Sequence, residues 1–254
     1  MKAMARILLC NDDGIDSEGL KALYAALAPL GELIVVAPDR EQSAAGHSLS
    51  LHRPLRINEL EHNWFSVDGT PTDCVNLALN GLFKSERPDM LVSGINRGGN
   101  LGDDITYSGT VAAAMEATLL GLPAVAISLA HADGETLDFE LAKKVARAAA
   151  REVLSRGLEP GVLLNINVPN IPPQKCRGEK VTRQGKRVYE EAVVEKIDPR
   201  GREYYWIGGG SLLWKDEPDT DFEAVSNHQV SITPLRLDLT DYDAMKGLES
   251  WRFH

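Results

Sequence analysis

Two adjacent aspartates, Asp12 and Asp13, stand directly after the apolar run at residues 7–10 and are followed by Gly14. Like charges this close repel, so either one carboxyl holds its proton more tightly than usual or a cation neutralises the pair. Alone, Asp-Asp-Gly reads as a turn, with one acid capping the next helix and the other solvated. Two further loops change that reading. Pro38-Asp39-Arg40-Glu41-Gln42-Ser43 follows the apolar run 33–37, and Ser93-Gly94-Ile95-Asn96-Arg97-Gly98-Gly99-Asn100 follows 90–92. Ser43 and Asn96 offer neutral oxygens, so Asp12, Asp13, Ser43 and Asn96 form an all-oxygen donor set. Such ligands suit magnesium, manganese or calcium, and the missing Cys/His cluster disfavours zinc.

Ser108, Gly109 and Thr110 lead into an Ala-rich stretch. There they can present hydroxyls and free backbone N–H groups at a helix N-terminus, a ready anion site, although plain helix capping uses the same residues. Gly94, Gly98 and Gly99 permit close backbone approach. The GxxxxGK[ST] pattern of a phosphate-binding P-loop is absent, as is the GxGxxG of a dinucleotide site.

These residues need a scaffold that brings loop ends together. Apolar runs at 7–10, 33–37, 90–92, 124–127 and 162–166 lack strict alternation, as expected of parallel strands covered on both faces. Helical patterns fall between most of them: 17–27 with Ser17 as N-cap, a start at Thr70-Pro71-Thr72-Asp73, then 110–120 and 138–154. Strands alternating with helices predict a Rossmann-like α/β fold, an open and mostly parallel sheet with flanking helices. In such a sheet ligands bind beyond the carboxyl ends of the strands, where all three loops lie.

The pattern stops after Asn167, at Pro169, Pro172 and Pro173. Residues 181–207 read as extended segments through Val188, Tyr189, Val193, Val194, Tyr204, Tyr205 and Trp206, interrupted after that by Gly208-Gly209-Gly210. We expect one domain over 1–254, with a core at about 1–170 and a β-rich arm and tail at about 175–254. The tail segments are 230–237 and 242–248. Residues 175–202 carry nine Lys/Arg against five acids, which a hairpin with solvated faces explains.

Composition narrows the class. The chain has 254 residues, 43% of them hydrophobic, enough for a substantial core. Its net charge of −10 argues against affinity for nucleic-acid backbones. No apolar run approaches a membrane span and no signal peptide opens the chain. Cys10, Cys74 and Cys176 are scattered. A soluble, reducing, cytoplasmic setting is the expectation. Residues 11–110 alone carry −8, seven bases against fifteen acids. An anionic ligand there needs positive potential from a bound cation or helix N–H groups.

Several segments, in order and spacing, resemble the SurE survival-protein family: Ile7 to Gly14, Val35 to Arg40 with Ser43, Gly69-Thr70-Pro71-Thr72-Asp73-Cys74, Ser93 to Gly102, and Tyr107-Ser108-Gly109-Thr110. Thr220-Asp221-Phe222-Glu223-Ala224 adds a match near the end. The resemblance implies a metal-dependent phosphomonoesterase that hydrolyses nucleoside monophosphates. That is a 5′-nucleotidase, with 3′ esters as further candidates, assembled as a homodimer or homotetramer through the arm and tail. It implies one divalent ion, Mg²⁺ or Mn²⁺, per subunit on Asp12, Asp13, Ser43 and Asn96, and phosphate contacts from Asn11, Asn100, Ser108, Gly109 and Thr110.

The expected mechanism is attack by a metal-activated water, with Asp12 and Asp13 as the catalytic carboxylates. A covalent phosphoaspartate route fits less well, because the acids are adjacent rather than spaced as Asp-x-Asp. No Ser-His-Asp set supports Ser108 as a nucleophile. His47 and His228 read as surface or structural residues rather than catalytic ones, Trp64 as core, and Tyr107 as core or a base-stacking surface. Two non-catalytic readings compete: a metal- and nucleotide-binding sensor, and an oligomeric scaffold.

Overall fold

A computed structural model describes residues 4–132, 134–188, 193–207 and 213–252. Tyr189 and the glycine run 208–210 lie outside the described residues. The strands are β1 (Ala5–Cys10), β2 (Gly31–Pro38), β3 (Ile57–Glu61), β4 (Trp64–Val67), β5 (Met90–Arg97), β6 (Ala124–Ala130) and β7 (Val162–Pro169). They continue with β8 (Glu179–Val181), β9 (Arg187–Val188), β10 (Val193–Ile197), β11 (Glu203–Ile207), β12 (Leu213–Trp214) and β13 (Val230–Arg236). The helices are α1 (Glu18–Leu27), α2 (Pro71–Leu77), α3 (Gly109–Leu119), α4 (Glu140–Arg156), α5 (Asp221–Ser226) and α6 (Tyr242–Leu248).

The central sheet runs β3-β4-β2-β1-β5-β6-β7-β13-β8. Strands β4, β2, β1, β5, β6 and β7 are parallel; β3 pairs antiparallel with β4, and β13 pairs antiparallel with β7 and parallel with β8. The order reverses between β1 and β5, so the loops leaving these two strands diverge and open a crevice. Side-chain alternation along β1 divides the core into two layers. Ile7 and Leu9 pack on the α1–α4 face with Leu23 and Val145, while Leu8 and Cys10 pack on the α2–α3 face with Val75 and Val111. No helix among the described residues is long and apolar enough to cross a membrane.

The helices start where the capping residues predict. Ser17 accepts from Leu20 N–H at 3.3 Å, and Thr70 and Asp73 form a reciprocal capping box. Ser108 Oγ accepts from Val111 N–H, which starts α3 one residue before the predicted 110.

The region after residue 170 needs a correction. Residues 230–236, expected as part of a tail, form β13 inside the central sheet beside β7, and β8 extends it further. The core therefore does not end near residue 170. The cause is long-range pairing: Ser231 opposes Asn167 and Arg236 opposes Val162, a return across more than sixty residues. The expected β-rich arm is present as the antiparallel β10–β11 pair, whose Ile197, Tyr205, Trp206 and Ile207 are exposed. Strands β3 and β4 fall outside the predicted runs. β3 is a solvent-facing edge strand, Ile-Asn-Glu-Leu-Glu, without a buried apolar face.

Asp221 ties these parts together. Fully buried at the start of α5, its carboxylate accepts from the backbone N–H of Gly102 at 2.7 Å, Gly185 at 2.8 Å and Phe222 at 3.0 Å. Burial raises its pKa, and the three N–H groups oppose that shift. Asp221→Ala strands three donors in the interior, so we expect a loss of about 3 kcal/mol or more. For a chain of this size that is roughly 6–12 °C in a thermal melt.

Candidate active site and metal centre

The crevice between β1 and β5 collects the three loops. The carbonyl of Asp12 accepts from Gln42 N–H at 2.8 Å, binding the β2 loop to the β1 loop. Asp13 Oδ2 accepts from Arg97 N–H at 3.2 Å, binding the β5 loop to both. Asn11 Nδ2 donates to Gly14 O at 3.0 Å and Ser17 Oγ at 2.7 Å, fixing the turn into α1. The pairing of β5 with β6 slips between Ser93 and Asn96, an irregularity of the kind that re-aims side chains at strand ends. Gly94 is required there: its φ is +137°, and a Cβ would lie 2.3 Å from the Ile127 carbonyl oxygen.

Asp12 and Asp13 diverge in environment. Asp12 is buried, and its carboxylate accepts from the Thr110 hydroxyl and from the N–H groups of Gly109 and Thr110. Gly109 lets the first turn of α3 close over that carboxylate, because a Cβ would lie 2.7 Å from Asp12 Cβ and 2.9 Å from Asp12 Oδ2. Burial raises the Asp12 pKa, opposed first by the Thr110 hydroxyl. Asp13 is pushed up to about 6, first by burial and then by the negative charge of Asp12.

A cleft of about 790 Å³ opens on the α1–α4 side, and Asp13, Glu18, Glu41, Ser43, Arg97 and Phe139 line it. Ser43 Oγ donates to Glu41 Oε1 at 2.6 Å, which leaves its lone pairs available. Asn96 Nδ2 donates to Gly98 O at 2.8 Å, and its Oδ1 accepts no hydrogen bond from the described residues. Among the described residues no three His, Cys, Asp or Glu side chains gather around one point. An ion here would therefore rest on two carboxylates completed by neutral oxygens. The donor chemistry fits a hard divalent cation: two carboxylates with raised pKa values, one free amide oxygen and one oriented hydroxyl.

The residues expected to hold phosphate are placed as follows. The Gly109 and Thr110 N–H groups are turned to Asp12, and Ser108 accepts from Val111, keeping its hydroxyl proton free. Asn100 is clamped: its N–H donates to Asn167 Oδ1 at 2.8 Å, its carbonyl accepts from Asn165 and Asn167, and its Nδ2 donates to Ser128 Oγ at 2.8 Å. Asn11 Oδ1 is buried with no hydrogen-bond partner, while its amide nitrogen serves the turn.

Sequence reasoning missed Glu41, Arg97 and the Ser128–Asn165–Asn167 clamp. A signal for the clamp existed: Asn165 and Asn167 sit two apart within an apolar strand, hence on one buried face, where each amide needs a partner. His47 reaches Glu116 at 2.8 Å rather than the aspartates, and Asn76 holds the other Glu116 oxygen at 2.8 Å. The His47 contact holds the Glu116 carboxyl below its usual range. Trp64 is half-buried against the edge of the core, edge-on to the exposed Tyr24 ring, and Tyr107 is exposed.

The family model described as Survival protein SurE matches residues 7–191. The 5′-nucleotidase SurE of Geobacter metallireducens is 55% identical over 248 residues, 98% of each chain. That of Myxococcus xanthus is 54% identical over 249 residues, 97% of this chain and 93% of the other. Among solved structures, the SurE protein from Aquifex aeolicus superposes with a TM-score of 0.86 at 46% identity, covering 96% of this chain and 98% of its own. With aspartates, loops and switch point arranged as above, the chain belongs to the SurE survival-protein family.

Proposed function

We propose that the protein is a metal-dependent 5′-nucleotidase that hydrolyses nucleoside monophosphates to nucleoside and phosphate. The observation that carries this reading is the Asp12–Asp13 pair, one carboxylate locked by the N-terminus of α3 and the other held near pKa 6 in an open cleft. The names of the relatives support it. Asp12, Asp13, Ser43 and Asn96 would hold one Mg²⁺ or Mn²⁺. When bound, that ion supplies Lewis-acid polarisation and a more acidic water.

The chain's own residues do the rest. Thr110, with the N–H groups of Gly109 and Thr110, keeps the Asp12 carboxylate in one orientation, so no reorganisation is needed during reaction. Ser108 directs its free hydroxyl proton, and the positive end of α3, toward a phosphate beside Asp12. Asn100, immobilised by Ser128, Asn165 and Asn167, and Asn11, fixed on Ser17, border the same phosphate. The raised pKa of Asp13 belongs to the metal-free site, where burial and the Asp12 charge oppose ionisation; a bound ion would hold both aspartates ionised. The exposed apolar residues of β10–β11 support assembly into a homodimer or homotetramer. The unpaired thiols of buried Cys10 and Cys74 suit the cytoplasm.

Phosphate release from AMP and GMP, measured with and without added manganese, tests the reading. Turnover that appears with the metal and disappears with chelator is the expected result, while binding without release would favour the sensor.

A further inference from the structure

The cleft on the α1–α4 side presents a charge problem. Its lining includes three carboxylates, Asp13, Glu18 and Glu41, and one base, Arg97. The phosphate of a nucleoside monophosphate is a dianion and must approach through these acids. The Arg97 side chain is exposed and has no hydrogen bond or ion pair with the described residues, although Asp13 is close enough to feel its charge. Its backbone N–H is committed to Asp13, which fixes where the side chain departs from the sheet. A guanidinium held at the cleft wall, anchored through its main chain and neither hydrogen-bonded nor ion-paired among the described residues, is available to an incoming anion. Guanidinium pairs with phosphate oxygens in a two-pronged geometry.

We propose that Arg97 is a substrate-contacting residue: its guanidinium binds the substrate phosphate from the α1–α4 side, while residues 108–110 face it from the α2–α3 side. This rests on the nucleotidase reading above and adds to it a residue outside the expected phosphate set. The charge balance follows from the lining. Arg97 supplies the local positive potential that the acidic segment lacks, over the short range in which salt does not screen it.

The test compares Arg97→Met and Arg97→Lys with the wild type in the manganese-loaded full chain. Because Arg97 is exposed, both variants should keep the wild-type melting temperature. For Arg97→Met we expect KM for AMP to rise roughly 10–100-fold. Inhibition by inorganic phosphate should weaken by the same factor, and manganese affinity by calorimetry should hold. Arg97→Lys should recover part of the loss, since it keeps the charge but not the fork. Millimolar guanidinium ion should restore part of the activity of Arg97→Ala. KM and phosphate inhibition within twofold of wild type in Arg97→Met would overturn the proposal. So would a loss traced entirely to weaker manganese binding. If the wild type releases no phosphate from AMP, the nucleotidase reading fails instead, and calorimetry with inorganic phosphate still decides the role of Arg97.

Discussion

Replacing Asp12 by asparagine should lower kcat/KM for AMP by about 10³-fold or more while leaving the metal-free protein at least as stable as the wild type. The two halves of this expectation share one origin. In the metal-free fold Asp12 is a buried carboxylate next to a second acid, and burial works against its charge. Asparagine keeps an oxygen for the Gly109 and Thr110 N–H groups and removes the charge, so the fold loses little and sheds an unfavourable interaction with Asp13. The charge is what a divalent ion requires, and removing it forfeits several kcal/mol of transition-state stabilisation. Asp13→Asn should be less severe in stability gain, because Asp13 is only partly buried. Thermal melts of the metal-free variants, paired with phosphate-release kinetics, read both halves. A destabilised Asp12→Asn would show instead that the carboxylate is a structural cap for α3. Stability and activity moving in opposite directions is the mark of a group retained for chemistry.

The site was more legible in the sequence than the sheet's far edge, for local reasons. Each apolar run ends in its polar loop within a few residues, so β1, β2 and β5 and the residues after them could be read together. That strand order reverses between β1 and β5 follows from long-range pairing, yet the loops point to it because both carry ligand-type residues. β13 was obscured for the opposite reason. Val230, Ile232 and Leu235 look like a short tail, and nothing near them specifies pairing with β7. β3 was hidden because an exposed edge strand needs no apolar pattern. Within the site, the N–H groups of Gly109 and Thr110 were legible as an anion site. That the group they meet in the structure is the Asp12 carboxylate depends on how closely α3 approaches β1, a distance set by Gly109 and by packing of Val111 and Ala114 on the sheet. Arg97 carried no signal beyond its charge, since only the fold brings it into one cleft with Asp13, Glu18 and Glu41.

Manganese should stabilise the protein much more at pH 7.5 than at pH 5, with the metal-free stability running the other way. In the metal-free fold the Asp13 pKa stands at about 6, against 3.8 ordinarily. A carboxyl whose folded pKa is raised binds more protons folded than unfolded between those values, so stability falls as pH rises through that window. The difference of about 2.2 units corresponds to roughly 3 kcal/mol at most, and nearer 2 for a partly solvated group. The raised Asp12 and Asp221 act with the same sign. Glu32, Glu116 and Glu223, with depressed pKa values, act oppositely, but their contribution is complete once pH exceeds the ordinary carboxylate range. From about pH 5.5 to 7 the buried aspartates therefore dominate among the carboxylates. A metal ion reverses the slope, because it binds the ionised pair and must displace the Asp13 proton below pH 6. Melting temperatures at pH 5, 6, 7 and 8, with and without manganese, should diverge progressively. Asp13→Asn should flatten the metal-free profile and remove most of the metal-dependent rise. If that variant keeps the wild-type slope, the pH dependence belongs to other groups and Asp13 is not the residue the ion neutralises.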